Sequence, residues 1–286
     1  MKSIFLNKVA IITGSSGGIG KATAIGLAKQ GASIVLNGRN QEKIELVKQE
    51  LEQMGFDVFA VAADITSYEE CERLMQETVK HFGKIDILVN NASLTMDDSF
   101  ENLHPDIFTK VFLSNTLGSI MPTKAALPYM KLTKGSVMFI SSLAGLHGLP
   151  AGSAYCAGKM SLTAFWQSMR IELNNTGIHF GICYVSFTQN DASKRMLSSD
   201  GKLVPIQKRP EILKQSQEQV ASAIIKSIKE RRVKVVLSVF GKITEWVFRY
   251  FPRLVMYTIV SLNEKKINLQ ESNARYNVTK NILDTK

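Results

Sequence analysis

The chain has 286 residues, of which 45% are hydrophobic and 21% are charged, so it is long enough to bury a sizeable globular core. Its three cysteines are widely spaced and match no metal-ligand pattern, which argues against disulfides and a zinc site and indicates a reducing, cytoplasmic compartment. The net charge is +10, but no nucleic-acid-binding signature accompanies it, so we predict no nucleic-acid partner. The apolar run in MKSIFLNKVA, residues 1–10, is too short for a signal peptide.

Short apolar runs alternate with longer amphipathic stretches along the chain. The runs predict buried strands at VAIIT (9–13), SIVLN (33–37), DVFAVAA (57–63), ILVNNA (87–92), SVMFIS (136–141), IHFGICYV (178–185) and residues 233–237. The amphipathic stretches predict helices at residues 18–30, 41–54, 67–82, 106–130, 153–174 and 218–231. This alternation is typical of an α/β fold with a doubly wound parallel sheet of the Rossmann type, and we predict one such domain over residues 1–239. Within it, the polar segment 186–217 is predicted to be a flexible lid over a site.

The stretch TGSSGGIG, residues 13–20, directly follows the first predicted strand and opens the first predicted helix. A helix N-terminus presents free backbone N–H groups and the positive end of the helix dipole, which suits the pyrophosphate of a dinucleotide. Gly14 permits the sharp turn, Gly18 lets the backbone approach the phosphates and Gly20 allows close packing. We therefore predict that this segment binds a dinucleotide, and the predicted contact residues are Gly14, Ser15, Ser16, Gly18, Ile19 and Gly20.

The end of the second predicted strand indicates which dinucleotide is bound. A carboxylate there would accept a hydrogen bond from the ribose 2′-hydroxyl of NAD and repel the 2′-phosphate of NADP. The sequence LNGRN, residues 36–40, has no acid, and Arg39 is able to make a charge-assisted contact with a phosphate. The hydroxyl of Ser15 or Ser16 would add a further contact. The sequence therefore predicts NADP(H) as the cofactor.

Further motifs follow this turn. They are Asp64 after the third predicted strand, NNAS at 90–93, NTLG at 115–118, Ser142 in ISSLAG, and Tyr155 with Lys159 in SAYCAGKM. Together with Thr-Gly-x-x-x-Gly-x-Gly, they make residues 5–237 resemble the short-chain dehydrogenase/reductase family. The resemblance implies that Asp64 bonds the adenine, that Asn91 belongs to the cofactor site and that Ser142, 13 residues before Tyr155, is catalytic. Ser93 stands where the family has glycine.

Tyr155 and Lys159 are four positions apart, so they lie on one side of the predicted helix. A free tyrosine has a pKa of about 10, and a neighbouring ammonium, together with the positive charge of an oxidised nicotinamide, would lower that pKa. Tyr155 would donate a proton to a carbonyl oxygen that Ser142 holds, while Lys159 also bonds the nicotinamide ribose. By the resemblance, Asn115 orders a water that relays protons to Lys159. The predicted catalytic residues are Asn115, Ser142, Tyr155 and Lys159, and no metal is expected.

One segment departs from the family pattern inside the predicted domain. After the sixth predicted strand the sequence is YVSFTQND, residues 184–191, without the Pro-Gly that most members carry there. The family's contact to the nicotinamide carboxamide then falls to Thr188, Gln189 or Asn190, and the sequence does not choose among them.

Residues 240–286 form a basic extension with a polar end. Residues 231–286 hold 11 basic and 4 acidic residues, a balance of +7, whereas residues 1–230 hold 24 and 21, a balance of +3. A helical stripe of apolar residues lies within 240–262, and it consists of Ile243, Trp246, Val247, Tyr250 and Phe251. Basic residues lie among them (Lys242, Arg249 and Arg253), and Pro252 is expected to break or kink the helix. These features favour peripheral contact with a membrane surface; packing on the domain, covering the pocket and contact in a dimer are the alternatives.

These features predict an NADP(H)-dependent oxidoreductase that interconverts a ketone and a secondary alcohol. The extension, and a resemblance to the reductase of 3-ketosphinganine where Pro-Gly is missing, favour a lipophilic substrate, either a long-chain lipid or a steroid-like ketone. One alternative is a reductase of 3-oxoacyl thioesters carried on ACP or CoA. An alternative of another class is a scaffold or sensor that binds NADP(H) without turnover, which the altered segment 184–191 suggests. The resemblance also implies a homodimer or homotetramer.

Overall fold

The computed structural model describes residues 4–191, 194–206 and 214–265. Within these residues the strands are β1 (Val9–Thr13), β2 (Ser33–Gly38), β3 (Val58–Ala62), β4 (Ile87–Asn90), β5 (Ser136–Ser142), β6 (His179–Val185), β7 (Arg195–Leu197), β8 (Leu203–Pro205) and β9 (Lys234–Val236). The α-helices are α1 (Gly18–Ala28), α2 (Gln41–Gln53), α3 (Tyr68–Phe82), α4 (Pro105–Thr133), α5 (Ser153–Glu172), α6 (Gln217–Lys229) and α7 (Val239–Tyr250). The chain divides into two compact units, one up to Lys242 and one from Ile243 onward.

Seven of the described strands form one sheet in the order β3-β2-β1-β4-β5-β6-β9, and every pair of neighbours is parallel. The prediction of a doubly wound α/β fold is therefore confirmed. The order reverses between β1 and β4, since β2 and β3 lie on one side of β1 while β4, β5 and β6 lie on the other. At such a reversal the loops after neighbouring strands run in opposite directions, which opens a crevice at the carboxyl ends of the strands.

Buried side chains cover both faces of the sheet, as its continuous apolar strands require. On β1, Val9 and Ile11 belong to one hydrophobic cluster, whereas Ala10 and Ile12 belong to the other. The first cluster takes in buried residues of α3, α4 and α5, and the second takes in those of α1, α2 and α6. Helices therefore pack on both faces, and the crevice at the strand ends is the place where the fold stays open.

The helices begin where the sequence provides capping side chains. Asn40 accepts a hydrogen bond from the Lys43 backbone N–H at the start of α2, and Ser67 does the same for Glu70 at the start of α3. Ser216 and Gln219 form a capping box at the start of α6. Such caps satisfy N–H groups that the helix leaves unpaired. Helix α1 differs, because its N-cap residue is Gly17, which has no side chain to cap it.

The described part of the predicted lid is a short hairpin instead of an irregular loop. Strands β7 and β8 pair antiparallel, with Met196 opposite Val204. A bridge between Met96 and Leu197 ties the hairpin to the loop after β4. Sequence patterns missed these strands because three residues are too few to show a period. The predicted mobility of the lid stays a prediction.

From Ile243 onward the described chain is helical in two segments. Helix α7 ends at Tyr250, and residues 252–265 are again helical, with Pro252 at the first position. Proline is well suited to that position because it needs no N–H partner there. The predicted break at Pro252 is confirmed, as is the helical extension.

Candidate active site

A cavity of about 1310 Å³ lies at the carboxyl ends of the sheet strands. Its lining includes most of the predicted cofactor residues, namely Gly14, Ser16, Gly18, Ile19, Arg39, Asp64 and Asn91, and three of the four predicted catalytic residues, namely Ser142, Tyr155 and Lys159. The sheet order explains this meeting, since residues far apart in sequence all follow neighbouring strands.

The turn between β1 and α1 is held by the loop after β4. Gly14 has a φ of +64°, in the left-handed region, and a Cβ there would lie 2.8 Å from the Cα of Ala92. The Asn91 side-chain amide donates to the carbonyl oxygens of Thr13 at 2.9 Å and Gly14 at 3.1 Å. Asn91 therefore shapes the turn through its side chain, while the residue also borders the cavity.

This turn fits a dinucleotide phosphate. Helix α1 begins at the cavity with no side-chain cap and no acidic residue in its first turn. Its N–H groups and dipole therefore favour an anionic ligand. The two candidate serines differ: the Ser15 hydroxyl is buried and bonds the backbone of Asn37, whereas Ser16 is exposed and borders the cavity. Only Ser16 thus has its hydroxyl at the cavity.

Two cations lie where the sequence predicts recognition of a 2′-phosphate. Arg39 follows β2 directly, is exposed, borders the cavity and has no hydrogen bond or ion pair to any residue that the structure describes. Lys43, in the first turn of α2, also borders the cavity and was missed by sequence reasoning. The sequence did contain a signal for Lys43. It lies four positions after Arg39, in the first turn of a predicted helix, so the two cations can lie close together. Asp64 also borders the cavity, and its carboxylate accepts hydrogen bonds from the Thr66 backbone and hydroxyl.

Strand β5 and helix α5 carry three of the predicted catalytic residues, called the catalytic group below. Ser142 is the last residue of β5, and Tyr155 and Lys159 lie one turn apart on α5. The Lys159 Nζ lies 5.9 Å from the centroid of the Tyr155 ring and donates a hydrogen bond to the Ile140 carbonyl oxygen at 2.9 Å. A hydrogen bond joins Tyr155 to Ser142. The sequence-based grouping of these three residues therefore corresponds to one cluster in space.

Burial shifts the protonation of this pair in opposite directions. It raises the pKa of Tyr155, which the hydrogen bond from Ser142 only partly offsets. Burial, with a smaller effect of the nearby positive charge of Lys194, lowers the pKa of Lys159 to about 7. Both shifts favour the neutral form, as expected for groups removed from water. In the protein by itself the Tyr155 pKa is therefore raised, not lowered as the sequence predicts for the oxidised complex.

Asn115 lies behind the catalytic group and does not border the cavity. It is buried in α4, and its amide nitrogen donates to the carbonyl oxygens of Leu94 at 2.7 Å and Val111 at 2.8 Å. Its Oδ1 is buried without a hydrogen-bond partner among the described residues. Helix α5 approaches closely here, because a Cβ on Gly158 would lie 2.8 Å from the Asn115 Cβ. Asn115 therefore packs against Gly158, the residue before Lys159, and carries an acceptor that no described residue uses.

The segment after β6 borders the cavity through Thr188, Asn190 and Asp191, and Gln189 is not part of the lining. Asp191 is the residue that sequence reasoning missed here. Its carboxylate accepts a hydrogen bond from the Gly18 N–H at 2.9 Å, at the start of α1. No local sequence signal indicates this contact, since 173 positions separate the two residues.

The remainder of the lining includes apolar side chains. They come from the loops after β4, β5 and β6 and from the hairpin, and include Leu94, Met96, Leu149, Val185, Phe187 and Met196. His147, in the loop after Ser142, is absent from the lining. No group of three or more His, Cys, Asp or Glu side chains in the described part of the chain is placed to hold a metal ion.

Comparison with known proteins agrees with this geometry. The fold and cavity define the class of dinucleotide-binding oxidoreductases. The family of short chain dehydrogenases matches residues 8–200, and the chain belongs to that family. Because members use NAD or NADP, the cofactor is a nicotinamide dinucleotide.

The similar curated proteins carry hydroxysteroid dehydrogenase names. The 11-beta-hydroxysteroid dehydrogenase 1A of Arabidopsis thaliana is 36% identical over 200 residues, which are 69% of this chain and 57% of that protein. The 11-beta-hydroxysteroid dehydrogenase-like 2 of the same plant is 31% identical over 266 residues, which are 88% and 80% of the two chains. The match thus spans little more than half the length of the first relative.

A solved structure of similar fold is an alcohol dehydrogenase from the archaeon Thermococcus sibiricus in complex with 5-hydroxy-NADP. It superposes with a TM-score of 0.70 and 28% sequence identity, over 82% of this chain and 97% of that one. A second, the apo form of LigD from Sphingobium, has a TM-score of 0.72 at 23% identity and supports the fold alone.

Aromatic side chains are exposed on the segment from Ile243 onward. Trp246 lies 5.7 Å from Tyr250 and 5.3 Å from Phe251 between ring centroids. More than half of the Trp246 and Tyr257 surfaces is exposed, at 55% and 75%. Within the described residues, no helix combines the length and apolar character that a membrane span needs.

Proposed function

We propose that the protein interconverts a ketone and a secondary alcohol on a lipophilic substrate with NADP(H) as cofactor. One observation carries the proposal: Ser142, Tyr155 and Lys159 share a cavity with Arg39 and with the start of α1, where Gly17 provides no side-chain cap. A proton donor and a phosphate site in one crevice are what a dinucleotide-dependent carbonyl reductase needs.

Each residue of the catalytic group has a role in this reaction. The bound dinucleotide supplies the hydride on reduction and accepts it on oxidation. The Ser142 hydroxyl holds the substrate oxygen, and Tyr155 donates its proton to that oxygen as negative charge develops there. Lys159 holds the cofactor ribose and, when protonated, stabilises the phenolate. The unpaired Oδ1 of Asn115 is an acceptor for a water that passes protons toward Lys159.

The preference for NADP(H) is supported by charge at the end of β2. Arg39 and Lys43 border the cavity there, and the β2 terminus provides no carboxylate to accept a ribose 2′-hydroxyl. The archaeal structural neighbour, which holds an NADP analogue, supports the same preference.

A lipophilic substrate is supported by the apolar part of the lining, to which Leu94, Met96, Leu149 and Met196 contribute. The names of the curated relatives point to steroid-like ketones and alcohols. Peripheral membrane contact through residues 240–262 would hold the protein at a bilayer in which such a substrate dissolves, and the exposed aromatic and basic side chains there support it. We infer a cytoplasmic protein that associates with the membrane surface.

The test is oxidation of NADPH with lipophilic ketones presented in phospholipid vesicles. We would offer 3-ketosphinganine and an 11-keto steroid, with a soluble 3-oxoacyl thioester as the competing class and Tyr155→Phe protein as the blank. Turnover of either lipophilic ketone above the blank supports the proposal. Turnover of the thioester alone favours the thioester reductase, and stoichiometric NADPH binding without any turnover favours the scaffold.

A further inference from the structure

The carboxylate of Asp191 lies on the phosphate-binding end of α1. Its Oδ2 accepts the hydrogen bond of the Gly18 N–H at 2.9 Å, and its Oδ1 accepts one from the Gln217 side-chain amide at 2.8 Å. A Cβ on Gly17 would lie 3.3 Å from the same Oδ2. The Asp191 side chain thus caps the first turn of α1, although it belongs to a distant part of the sequence.

The contact gives α1 the anion that its own sequence lacks. Gly17 has no side chain to cap the helix, and the first turn has no acidic residue. An anion at this end is stabilised by the unpaired N–H groups and the helix dipole. A dinucleotide phosphate would use the same N–H groups, so the carboxylate and the phosphate exclude each other, and their charges repel at short range.

Backbone pairing holds the Asp191 segment in this position. The Gln189 N–H donates to the Gln215 carbonyl oxygen at 2.9 Å, and the Gln215 N–H donates to the Phe187 carbonyl oxygen at 2.9 Å. The Gln217 amide also donates to the Gln189 carbonyl oxygen at 3.2 Å. The segment between β6 and the hairpin is therefore tied to the start of α6, with Asp191 directed at α1.

We propose that Asp191 is an internal competitor for the phosphate site, which the dinucleotide has to displace when it binds. This inference rests on the proposed dinucleotide binding and adds a residue that sets its affinity. Asp191 would stabilise the ligand-free protein and weaken cofactor binding, two effects of opposite sign that a residue with a purely structural role would not combine.

The test measures the dissociation constants of NADPH and NADH by calorimetry for the wild type, Asp191→Asn and Asp97→Asn. The asparagine at 191 keeps the shape but removes the charge, and we expect both dinucleotides to bind about 3- to 30-fold more tightly. Asp97 borders the same cavity, but no contact joins it to α1 within the described residues. Asp97→Asn therefore shows how much binding changes when any negative charge near the cavity is removed. Gln217→Ala, which removes one partner of the carboxylate, should tighten binding in the same direction by a smaller factor.

Thermal unfolding supplies the second readout. Without ligand, Asp191→Asn should lower Tm by about 1–3 °C, because the helix start loses its anion, while saturating NADPH should raise Tm by more than in the wild type. Unchanged or weaker binding by Asp191→Asn, or equal tightening by Asp97→Asn, would overturn the inference and leave the proposed function standing. Failure of every variant to bind either dinucleotide would overturn both.

Discussion

Tyr155 and Lys159 show how a buried pair is prepared for proton transfer. Lys159 is 2% exposed, and with no carboxylate beside it its pKa falls to about 7, so small changes in nearby charge alter its protonation near neutral pH. The Tyr155 pKa is raised instead, which keeps the phenol protonated and able to donate. In the proposed reaction, Tyr155 would therefore be protonated and able to donate to a carbonyl oxygen.

Replacing Tyr155 by phenylalanine removes the proton donor and little else. We expect kcat to fall by about 10²–10⁴-fold, the usual contribution of a positioned acid, while the NADPH dissociation constant changes by less than about 3-fold. Steady-state kinetics and calorimetry measure the two. Tyr129→Phe, on α4 and outside the cavity lining, is the control. Retained activity in Tyr155→Phe would refute the catalytic assignment.

Replacing Lys159 by methionine should stabilise the ligand-free protein in a pH-dependent way. The folded pKa of about 7 lies below the ordinary value of 10.5, so folding disfavours the charged form. That penalty is fully present below about pH 7 and is lost as pH rises toward 10.5. We expect the variant to gain up to about 5 kcal/mol in free energy of unfolding at pH 6 and about 1 kcal/mol at pH 10, measured by denaturant unfolding.

The exposed Lys131→Met variant is the control for this measurement and should show no such trend. A gain for Lys159→Met that is the same at pH 6 and pH 10 would contradict the lowered pKa. The same variant should lose turnover, because Lys159 contributes to binding of the cofactor ribose.

Charge reversal at Arg39 should change the cofactor preference. Arg39→Asp replaces the phosphate contact with a carboxylate that accepts a ribose 2′-hydroxyl. We expect the ratio of kcat/KM for NADPH over NADH to fall at least about 10-fold, as for loss of a charge-assisted hydrogen bond. Lys29→Asp, an equal charge change at the far end of α1, should leave the ratio unchanged. An unchanged ratio in Arg39→Asp would refute the assignment of the phosphate site.

At the scale of elements, the helical segments from Ile243 onward expose large apolar and aromatic side chains to solvent. Exposed aromatic side chains there include Trp246, Tyr250 and Tyr257, and Arg249 and Arg253 lie among them. Aromatic rings and cations on one amphipathic helix suit the boundary between lipid headgroups and acyl chains.

The protein should therefore bind vesicles that contain anionic phospholipid, and binding should weaken as salt is added. Trp246→Ala should lower the partition coefficient by about 10-fold, because a large apolar side chain no longer enters the bilayer. Phe100→Ala removes an even more exposed aromatic side chain outside this segment and should have no effect. Vesicle co-sedimentation measures both, and equal loss in the two variants would contradict the assigned surface.

For the whole molecule, the order of the sheet decides which loops meet. One cavity is bordered by residues spread over 129 positions of the sequence. They are the turn after β1, Arg39 after β2, Asn91 after β4 and Ser142 at the end of β5. A ligand that spans this cavity contacts both halves of the sheet, so its binding stabilises the folded state as a whole.

Dinucleotide binding should consequently raise the thermal stability of the protein. A free concentration 100 times the dissociation constant adds about 2.7 kcal/mol to the free energy of unfolding. At equal concentration NADPH should raise Tm more than NADH, and Arg39→Asp should reverse that order. Differential scanning fluorimetry measures these shifts. A larger shift with NADH in the wild type would contradict the NADP(H) preference.

Local sequence patterns were sufficient for the regular elements. All seven strands of the main sheet were predicted, because buried parallel strands are continuous apolar runs, as in VAIIT and SVMFIS. Strands β7 and β8 were missed, since a three-residue strand has no detectable period. The bridge that ties β7 to the loop after β4 comes from Met96, about 100 positions earlier. The motif residues Ser142, Tyr155 and Lys159 were found because they lie within 18 consecutive positions, at the end of one strand and in the next α-helix.

Local patterns are enough to predict the α/β class, the glycine-rich turn and the candidate catalytic residues, because each depends on the period of a strand or helix or on a short motif. Three features are visible only in the folded structure. Burial lowers the Lys159 pKa, the Ser15 hydroxyl points into the protein, and Asp191 caps α1. Those features depend on which distant groups surround a side chain and how much water they exclude. Burial and contact across 173 positions arise only when the sheet order brings the strand ends together.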